Sequence, residues 1–269
     1  MIIIGQVSGR ESYETHFEIA FEKSQIFTPN YFIDRGEKAW IISCMENKVF
    51  ARMKYGMVPF WSKKRLLHFE APVEGSDHPD DERIKKRIIL HPSYRRPIRD
   101  TRCLIPVDYF ILLNELSEPY LFFSTESRPF GLAGLYDLIV GHTGIESYIG
   151  FSIITTASVK IASNIGINRF PLVLPVRKYK RWLKPDAHLS EITSLLKPVN
   201  DNEVNGYPIN RKLFFNKVNS KVLIKSFGDL LRNNDTQDPI EIANFLKSFR
   251  YKRGLTHSKN NQDKRMWRS

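Results

Sequence analysis

The residue types that most often carry out chemistry are sparse in this sequence and widely spaced. Its two cysteines, Cys44 and Cys103, form no CxxC pair, and no two of the seven histidines stand four residues apart. Structural zinc sites and helical metalloenzyme motifs use such spacings. We therefore expect no metal, no other cofactor and no disulfide, and we interpret both cysteines as buried, reduced thiols.

A basic stretch that follows two aromatic residues is the segment best suited to bind nucleic acid. Cations can track the phosphates of a single strand while aromatic ring faces stack on its bases. The alternative is that Phe60 and Trp61 are core residues, that the arginines form a solvated face, and that Arg102 is a structural residue beside Cys103. The basic residues of the stretch are Arg83, Lys85, Lys86, Arg87, Arg95, Arg96, Arg99 and Arg102, with Asp100 as their acidic neighbour.

Strands must hold most of these residues in place. Runs rich in β-branched and aromatic residues, separated by turn residues, predict strands across 102–156. Because these runs are continuously apolar, they indicate a sheet buried on both faces or a closed barrel. Residues 11–27 predict a helix, although the alternation of Phe17, Ile19 and Phe21 also suits a strand. Further helices are predicted over 157–165, 177–184 and 189–197.

Two segments lack the pattern of a buried element. Residues 62–101 mix Asp, Pro, Gly and basic residues, and because a long irregular loop in a compact domain is usually functional, we expect a binding surface there. Asp238 and Pro239 predict the start of a C-terminal helix, and a disordered segment follows it. We predict one domain over 1–230 and a separate helix with a basic tail over 231–269.

The chain is strongly basic, and much of its charge lies near the C-terminal end. The formal net charge is +12, and residues 247–269 contribute eight Lys or Arg against one Asp. This balance favours a polyanionic partner. No apolar run approaches the roughly 18 to 20 residues of a membrane helix, and the first residues lack the features of a signal peptide. We expect a soluble, cytoplasmic protein without membrane contact.

Several stretches follow one another in the order and near the spacing of a known family. They are YGMVPFWSKK at 55–64, FEAPVEG at 69–75, PSYRRPIRDTRCLIPVDYFI at 92–111, RPFGLAGLYD at 128–137, FSIITT at 151–156, INRFPLVLP at 167–175 and YPINRK at 207–212. Together they resemble the SRAP family, the abasic-site-binding proteins of the DNA damage response, over about residues 1–230. The resemblance implies an α+β fold with a mostly antiparallel, barrel-like sheet flanked by helices.

The resemblance also implies a covalent chemistry whose residues are replaced here. In the family, a cysteine at position 2 becomes N-terminal, and its thiol and amine condense with the aldehyde of an abasic site. An asparagine, a glutamate and a histidine position the sugar and move protons. The bulky Ile2 also predicts that Met1 is retained. We expect the crosslinking and peptidase activities to be lost and the matched positions to converge in one pocket. Those positions are Ile2, Glu70, Leu112 and Ile167.

Part of the DNA-contacting set that the resemblance implies is kept. Pro72 replaces one family arginine. The matched contacts are Phe60, Trp61, Arg95, Arg99, Arg102 and Arg169. The leading hypothesis is a DNA-damage-associated protein that binds single-stranded, junction or abasic-site DNA without covalent chemistry. One alternative is an enzyme that uses the Met1 amine to form a Schiff base with the abasic aldehyde. Another is a platform for an acidic protein or for self-association, with the basic tail as its docking arm.

Overall fold

The computed structural model describes the protein over residues 1–44, 49–62, 66–74, 87–126, 128–140 and 147–225. These ranges belong to one compact unit, Met1–Phe227. The predicted C-terminal helix and basic tail lie outside the described residues, as do Arg83, Lys85 and Lys86 of the basic stretch. The domain boundary near residue 230 stays a prediction.

Strands dominate the described residues, and short helices lie between them. The strands are β1 (Ile2–Gln6), β2 (Asn30–Ile33), β3 (Lys38–Ser43), β4 (Phe50–Tyr55), β5 (Glu70–Pro72), β6 (Arg102–Val107), β7 (Tyr109–Leu113), β8 (Pro119–Ser124), β9 (Phe130–Ile139), β10 (Tyr148–Ala157), β11 (Arg169–Pro171), β12 (Val173–Leu174) and β13 (Val204–Pro208). The helices are α1 (Arg10–Phe17), α2 (Pro97–Asp100), α3 (Lys160–Ser163), α4 (Tyr179–Trp182), α5 (Leu189–Leu195), α6 (Arg211–Phe215) and α7 (Lys221–Lys225). The α+β class is confirmed.

Five strands close into a barrel through a ring of hydrogen-bonded pairs. Their order is β10, β4, β3, β6 and β9, and β9 pairs with β10 to complete the ring. The β4–β10 pair is parallel and the other pairs are antiparallel. Every residue of β6 is buried, which explains the continuous apolar run in its sequence. At Gly134 in β9, an added Cβ would lie 2.9 Å from Ser152 O of β10, so this close strand approach requires glycine. The predicted barrel-like core is confirmed.

A second sheet carries the N-terminal strand. Its order is β13, β8, β7, β1 and β2, and all its pairs are antiparallel. β1 therefore has a neighbour on each side, and Ile2 lies opposite Leu112 of β7. Aromatic rings join this sheet to the barrel, since the Phe110 ring centroid is 6.2 Å from that of Phe130 in β9.

Helix α1 is shorter than the sequence predicts. Glu18 takes a left-handed conformation with φ 56°, and the Glu14 carboxylate accepts a hydrogen bond from Phe21 N at 2.8 Å. Because these two features turn the chain, the helix predicted over residues 11–27 is wrong beyond Phe17, and the alternative strand does not form either. Helices α3, α4 and α5 lie inside their predicted ranges. Among the described residues, no helix is long and apolar enough to cross a membrane.

Candidate functional site

Two of the four matched chemical positions form an apolar pair. Ile2 and Leu112 are both buried and lie directly opposite each other in the β1–β7 pairing. Directly opposed residues of antiparallel strands have Cβ atoms about 4.5 to 5.5 Å apart, so their side chains are neighbours. Neither side chain can accept, donate or transfer a proton. Their burial stabilises the strand pairing instead.

Glu70, the third matched position, belongs to a group of ion pairs at the start of β5. Its Oε1 accepts a hydrogen bond from Arg35 Nη2 at 2.9 Å and lies 3.8 Å from the Met1 amine. The Arg35 guanidinium also lies over the Phe69 ring, 4.7 Å from its centroid. The negative charge at this position is therefore offset by two cations. We refer to Ile2, Arg35, Glu70 and Leu112 as the β1 cluster.

Ile167, the fourth matched position, is buried in the loop before β11. Two hydrogen bonds tie this loop to the turn after β7. Glu115 N donates to Gly166 O at 3.2 Å, and Asn168 Nδ2 donates to Glu115 Oε1 at 3.0 Å. The loop of Ile167 thus lies near the end of β7 that follows Leu112. Convergence of all four positions in one pocket stays a prediction.

Arg169 is held on the barrel by a carboxylate and a threonine. Its Nη2 donates to Glu74 Oε2 at 2.8 Å and to Thr155 O at 3.2 Å, and its Nε donates to Thr155 Oγ1 at 3.2 Å. A DNA phosphate would have to displace Glu74 or use the remaining guanidinium nitrogen. The proposed contact of Arg169 with DNA therefore competes with an intramolecular ion pair.

Arg102 is a structural residue, and its predicted contact with DNA is wrong. The side chain is fully buried in β6, and burial lowers the pKa of its guanidinium. Its donors bind backbone carbonyls that come from α2 and from the segment at the end of α4. The accepting residues are Ile98, Arg99, Trp182, Lys184 and Pro185. No donor is left for a phosphate, because the residue holds these segments onto the barrel.

Phe60 and Trp61 lie on the surface in the loop after β4. They are 48% and 49% exposed, which excludes the alternative that they are core residues. The Arg96 guanidinium lies over the Phe60 ring at 4.8 Å, and Trp61 Nε1 donates to Pro92 O at 3.3 Å. Phe60 N donates to the buried carboxylate of Asp137 at 3.0 Å. These contacts fix the loop against the segment that leads into α2.

Three arginines around the start of α2 extend this surface. Arg95, Arg96 and Arg99 are all exposed. Arg99 Nη1 donates to Ile89 O at 3.2 Å, and Arg96 lies 4.0 Å from Asp100, a weak exposed pair. Of the predicted basic stretch, Arg96 therefore contacts Phe60 directly, and Arg95 and Arg99 are exposed in the same short segment. We call Phe60, Trp61, Arg95, Arg96 and Arg99 the aromatic-basic surface.

A histidine and a tyrosine that the sequence analysis did not single out connect the two regions. His68 Nδ1 lies 2.8 Å from Tyr94 Oη, and the Tyr94 hydroxyl donates to Glu70 O at 3.0 Å. Since the hydroxyl has one proton, its oxygen accepts from His68 Nδ1–H. The His91 ring stacks on Tyr94 at 4.6 Å. Burial lowers the pKa of His68 and favours its neutral form. Tyr94 belongs to the matched segment that begins at residue 92, which was the only signal in the sequence.

Both cysteines are buried in the barrel, and burial raises the pKa of each thiol. A thiol with a raised pKa is a poor nucleophile. Within the described ranges, no group of three or more His, Cys, Asp or Glu residues is arranged to hold a metal ion. The geometry gives neither cysteine a chemical role.

Comparison with known families decides what the barrel and the β1 cluster belong to. The model of the SOS response associated peptidase (SRAP) family matches residues 5–216. The chain belongs to the SRAP family. The match includes β2 to β13 and the last two residues of β1, Gly5 and Gln6, so nearly all the strands that hold the candidate site lie within it.

Individual SRAP relatives and solved structures agree with this assignment. The abasic site processing protein YoqW of Bacillus subtilis is 26% identical over 191 residues, which are 69% of this chain and 80% of the relative. YoaM of the same organism, also named an abasic site processing protein, is 27% identical over 189 residues, which are 68% of this chain and 78% of the relative.

Two solved structures have a similar fold. A crystal structure of a protein from Bacteroides thetaiotaomicron has a TM-score of 0.64 at 22% identity, and the aligned part covers 82% of this chain and 90% of that protein's chain. A phage-related protein from Bordetella bronchiseptica has a TM-score of 0.60 at 19% identity, with 78% and 94% covered. At these identities the structures show a shared fold.

Proposed function

We propose that this SRAP protein binds single-stranded or abasic-site DNA through the aromatic-basic surface and does not form the covalent adduct or carry out the peptidase reaction of its family. The names of its relatives support abasic-site DNA as the ligand class. The binding is an equilibrium association with phosphates and bases. It needs no thiol.

The observation that carries the proposal is the exposure of Phe60 and Trp61 beside arginines. About half of each residue is exposed to solvent, and hydrogen bonds from Phe60 N and Trp61 Nε1 hold the loop in place. A ring fixed in this way can stack on a base with little loss of side-chain entropy. Such stacking contributes about 1 to 3 kcal/mol per base, and exposed guanidinium groups attract the adjacent phosphates. The surface suits splayed bases better than a closed duplex.

The β1 cluster supports the absence of covalent chemistry. A buried isoleucine occupies the position that the resemblance assigns to the nucleophile, and it packs against Leu112 at a proton-transfer position. Ile167 is equally unable to move a proton. Glu70 offers a carboxylate where an amide is expected, and that carboxylate is bound to Arg35. Each replacement removes a group that the family's own condensation with the aldehyde uses.

Fluorescence anisotropy with a labelled single strand and its duplex tests the proposal. Trp61→Ala and Phe60→Ala should each weaken single-strand binding by roughly fivefold to a hundredfold, in line with the loss of one stacked base, and should weaken duplex binding less. Phe215→Ala is the matched control. Phe215 is 50% exposed with the Arg211 guanidinium 5.5 Å from its ring, so it has the same ring-arginine arrangement on α6.

Equal binding by the unmodified protein and the Trp61→Ala and Phe60→Ala variants would contradict the proposal. So would an equal loss in Phe215→Ala, because that result would show a general effect of exposed aromatic residues. Thermal denaturation of each variant establishes that the change is in binding rather than in folding.

A second candidate function is Schiff-base chemistry at the Met1 amine, provided that Met1 is the N-terminal residue in the cell. It is favoured by the 3.8 Å separation of the amine from Glu70 Oε1. The carboxylate could take the ammonium proton, after which the nitrogen attacks the aldehyde carbon and water leaves to give an imine. An adduct that is stable to denaturant only after borohydride reduction, and that is lost in Glu70→Gln, would favour this reaction.

A platform for an acidic partner through residues 231–269 remains a prediction. A cytoplasmic location of the protein also remains a prediction.

A further inference from the structure

Arginine–glutamate ion pairs occur at several places in the described residues and differ in how many arginine donors stay free. Their shortest N···O distances are similar, between 2.8 and 3.0 Å. An arginine whose nitrogens are all bound to protein is a structural residue. One with unused donors beside its carboxylate can bind a further anion. The pairs are Arg10–Glu14, Arg35–Glu70 and Arg169–Glu74.

Arg10 and Arg169 use most of their donors within the protein. Besides its bond to Glu14, Arg10 donates from Nη1 to Gln25 O and from Nη2 to Phe21 O, both at 2.9 Å, which closes the loop after α1. Arg169 uses Nε and Nη2 on Thr155 and Glu74. Neither side chain presents an open guanidinium edge with two free nitrogens.

Arg35 uses only Nη2, in its bond to Glu70. Within the described part of the chain, its Nε and Nη1 have no hydrogen-bond partner, and the side chain is 38% exposed. The Phe69 ring supports one face of the guanidinium at 4.7 Å. A tight turn between β2 and β3 fixes its backbone, with Gly36 at φ 85° and Asp34 N bound to Glu37 Oε2 at 2.8 Å. The guanidinium is therefore positioned before any ligand arrives.

The charges near Arg35 leave its guanidinium available to an anion. Glu70 is shared between Arg35 and the Met1 amine, and the neighbouring carboxylate of Asp34 is paired with Lys217. A phosphate group matches the forked geometry of a guanidinium better than it matches an ammonium. The carboxylate orients the arginine but reduces its attraction for a phosphate. Removing that negative charge while keeping the hydrogen bond should therefore strengthen binding.

We infer that Arg35, held by Glu70 and the Phe69 ring, is a binding site for a phosphodiester group of a DNA strand at the β1 cluster. The inference rests on the proposed function, since the same strand would contact the aromatic-basic surface. The two regions are joined through Tyr94, whose hydroxyl donates to Glu70 O. Arg35 would add a backbone contact without sequence preference.

Salt-dependent binding of labelled oligothymidylate to the full chain tests this site. Over about 0.05 to 0.2 M salt, Arg35→Gln should reduce the slope of log affinity against log salt by roughly 0.7, the value for one neutralised phosphate on a single strand. Affinity should fall about threefold to tenfold. Arg35→Lys should keep the slope. Glu70→Gln keeps an oxygen acceptor for Arg35 and should bind more tightly than the unmodified protein.

Arg52→Gln is the matched control. Arg52 is exposed and lies over the Trp40 ring at 5.6 Å, and strand alternation places it on the face of β4 opposite Tyr55, whose ring contacts Phe69. An unchanged slope in Arg35→Gln, or an equal change in Arg52→Gln, would overturn the site. The proposed function would still stand if Trp61→Ala weakened binding in the same series. Absence of binding by the unmodified protein would overturn both.

Discussion

The β1 cluster and the aromatic-basic surface have opposite chemical characters. In the β1 cluster, Ile2 and Leu112 are buried against each other and Glu70 is bound to Arg35, so little reactive polar surface remains. On the aromatic-basic surface, Phe60 and Trp61 are each about half exposed, and three exposed arginines belong to the same surface. In the β1 cluster the polar groups are replaced or paired, except for the two remaining donors of Arg35. On the aromatic-basic surface the arginines and rings are open to a ligand.

Under the proposed function, the family's covalent chemistry and the stacking of bases depend on different elements of the SRAP fold. The chemistry would depend on the start of β1 and on β7, whereas stacking would depend on the loop after β4 and on the segment around α2. The His68–Tyr94–Glu70 chain links the two through hydrogen bonds, so they share a scaffold. Substitutions can therefore remove the reaction and leave the binding surface intact.

The largest effect that we predict is the loss of stability when the buried Arg102, rather than one of the surface arginines beside it, is replaced. Arg102→Met should lower the free energy of unfolding by about 3 kcal/mol or more, because it leaves the buried carbonyls of Ile98 and Trp182 and the part-buried carbonyl of Lys184 without this donor, and each buried group costs about 1 to 3 kcal/mol. Denaturant unfolding followed by tryptophan fluorescence measures the change. Arg99→Met is the control, since Arg99 is exposed and its loss should change stability by about 0.5 kcal/mol or less. Similar stabilities of the two variants would show that Arg102 is not structural.

The strands could be predicted where one apolar run of the sequence corresponds to one buried strand. The segments of β6 to β10 are mostly apolar because most of their residues are buried, and that pattern is visible without the structure. The helix was predicted too long because the end of α1 depends on the left-handed conformation of Glu18 and on the hydrogen bond that the Glu14 carboxylate accepts from Phe21 N. Neither feature changes the apolar spacing.

The motifs in the sequence identified candidate site residues, but they did not show whether each of those residues is buried or exposed. Arg102 belongs to the same basic stretch as Arg95 and Arg99, and its burial depends on carbonyls about eighty residues away, at Trp182 and Lys184. Pairing between residues distant in sequence leaves no local signal. An arginine partner for Glu70 could be expected from its charge, but that the partner is Arg35 could not be predicted, for the same reason.

A smaller effect concerns the basic C-terminal segment. Deleting residues 254–269 removes four Lys or Arg and one Asp, so affinity should fall for all nucleic acids. The salt slope for a single strand should shrink by about 0.7 for each phosphate no longer neutralised. Parallel titrations with a single strand and a duplex check this. Suppose that the deletion abolished single-strand binding while Trp61→Ala and Arg169→Ala had no effect. The tail would then be the binding element, and the alternative of a protein-interaction platform would be favoured.

The smallest predicted effect is on the pH dependence of stability, through His68, which belongs to the hydrogen-bonded link between the two regions. Burial lowers the pKa of His68, and the nearby His91 lowers it further. As the pH falls through the unfolded value near 6.5, the unfolded chain takes up a proton before the folded one does. The stabilising contribution of neutral His68 is therefore present above that pH and lost below it. His68→Asn keeps an N–H donor for Tyr94 and should reduce the loss of stability between roughly pH 7.5 and 5.5. His16 and His91, whose pKa values burial also lowers, should retain part of the dependence. An unchanged pH profile would exclude this role for His68.

The most direct measurement asks whether the protein binds abasic single-stranded DNA without bonding to it. One incubation is divided between fluorescence anisotropy and a denaturing gel, with Ile2→Cys in parallel. We predict salt-sensitive binding and no adduct for the unmodified protein. Ile2→Cys should fall short of full crosslinking, because the apolar Leu112 and Ile167 cannot transfer protons. A denaturant-stable adduct formed by the unmodified protein without borohydride would contradict the separation of binding from chemistry.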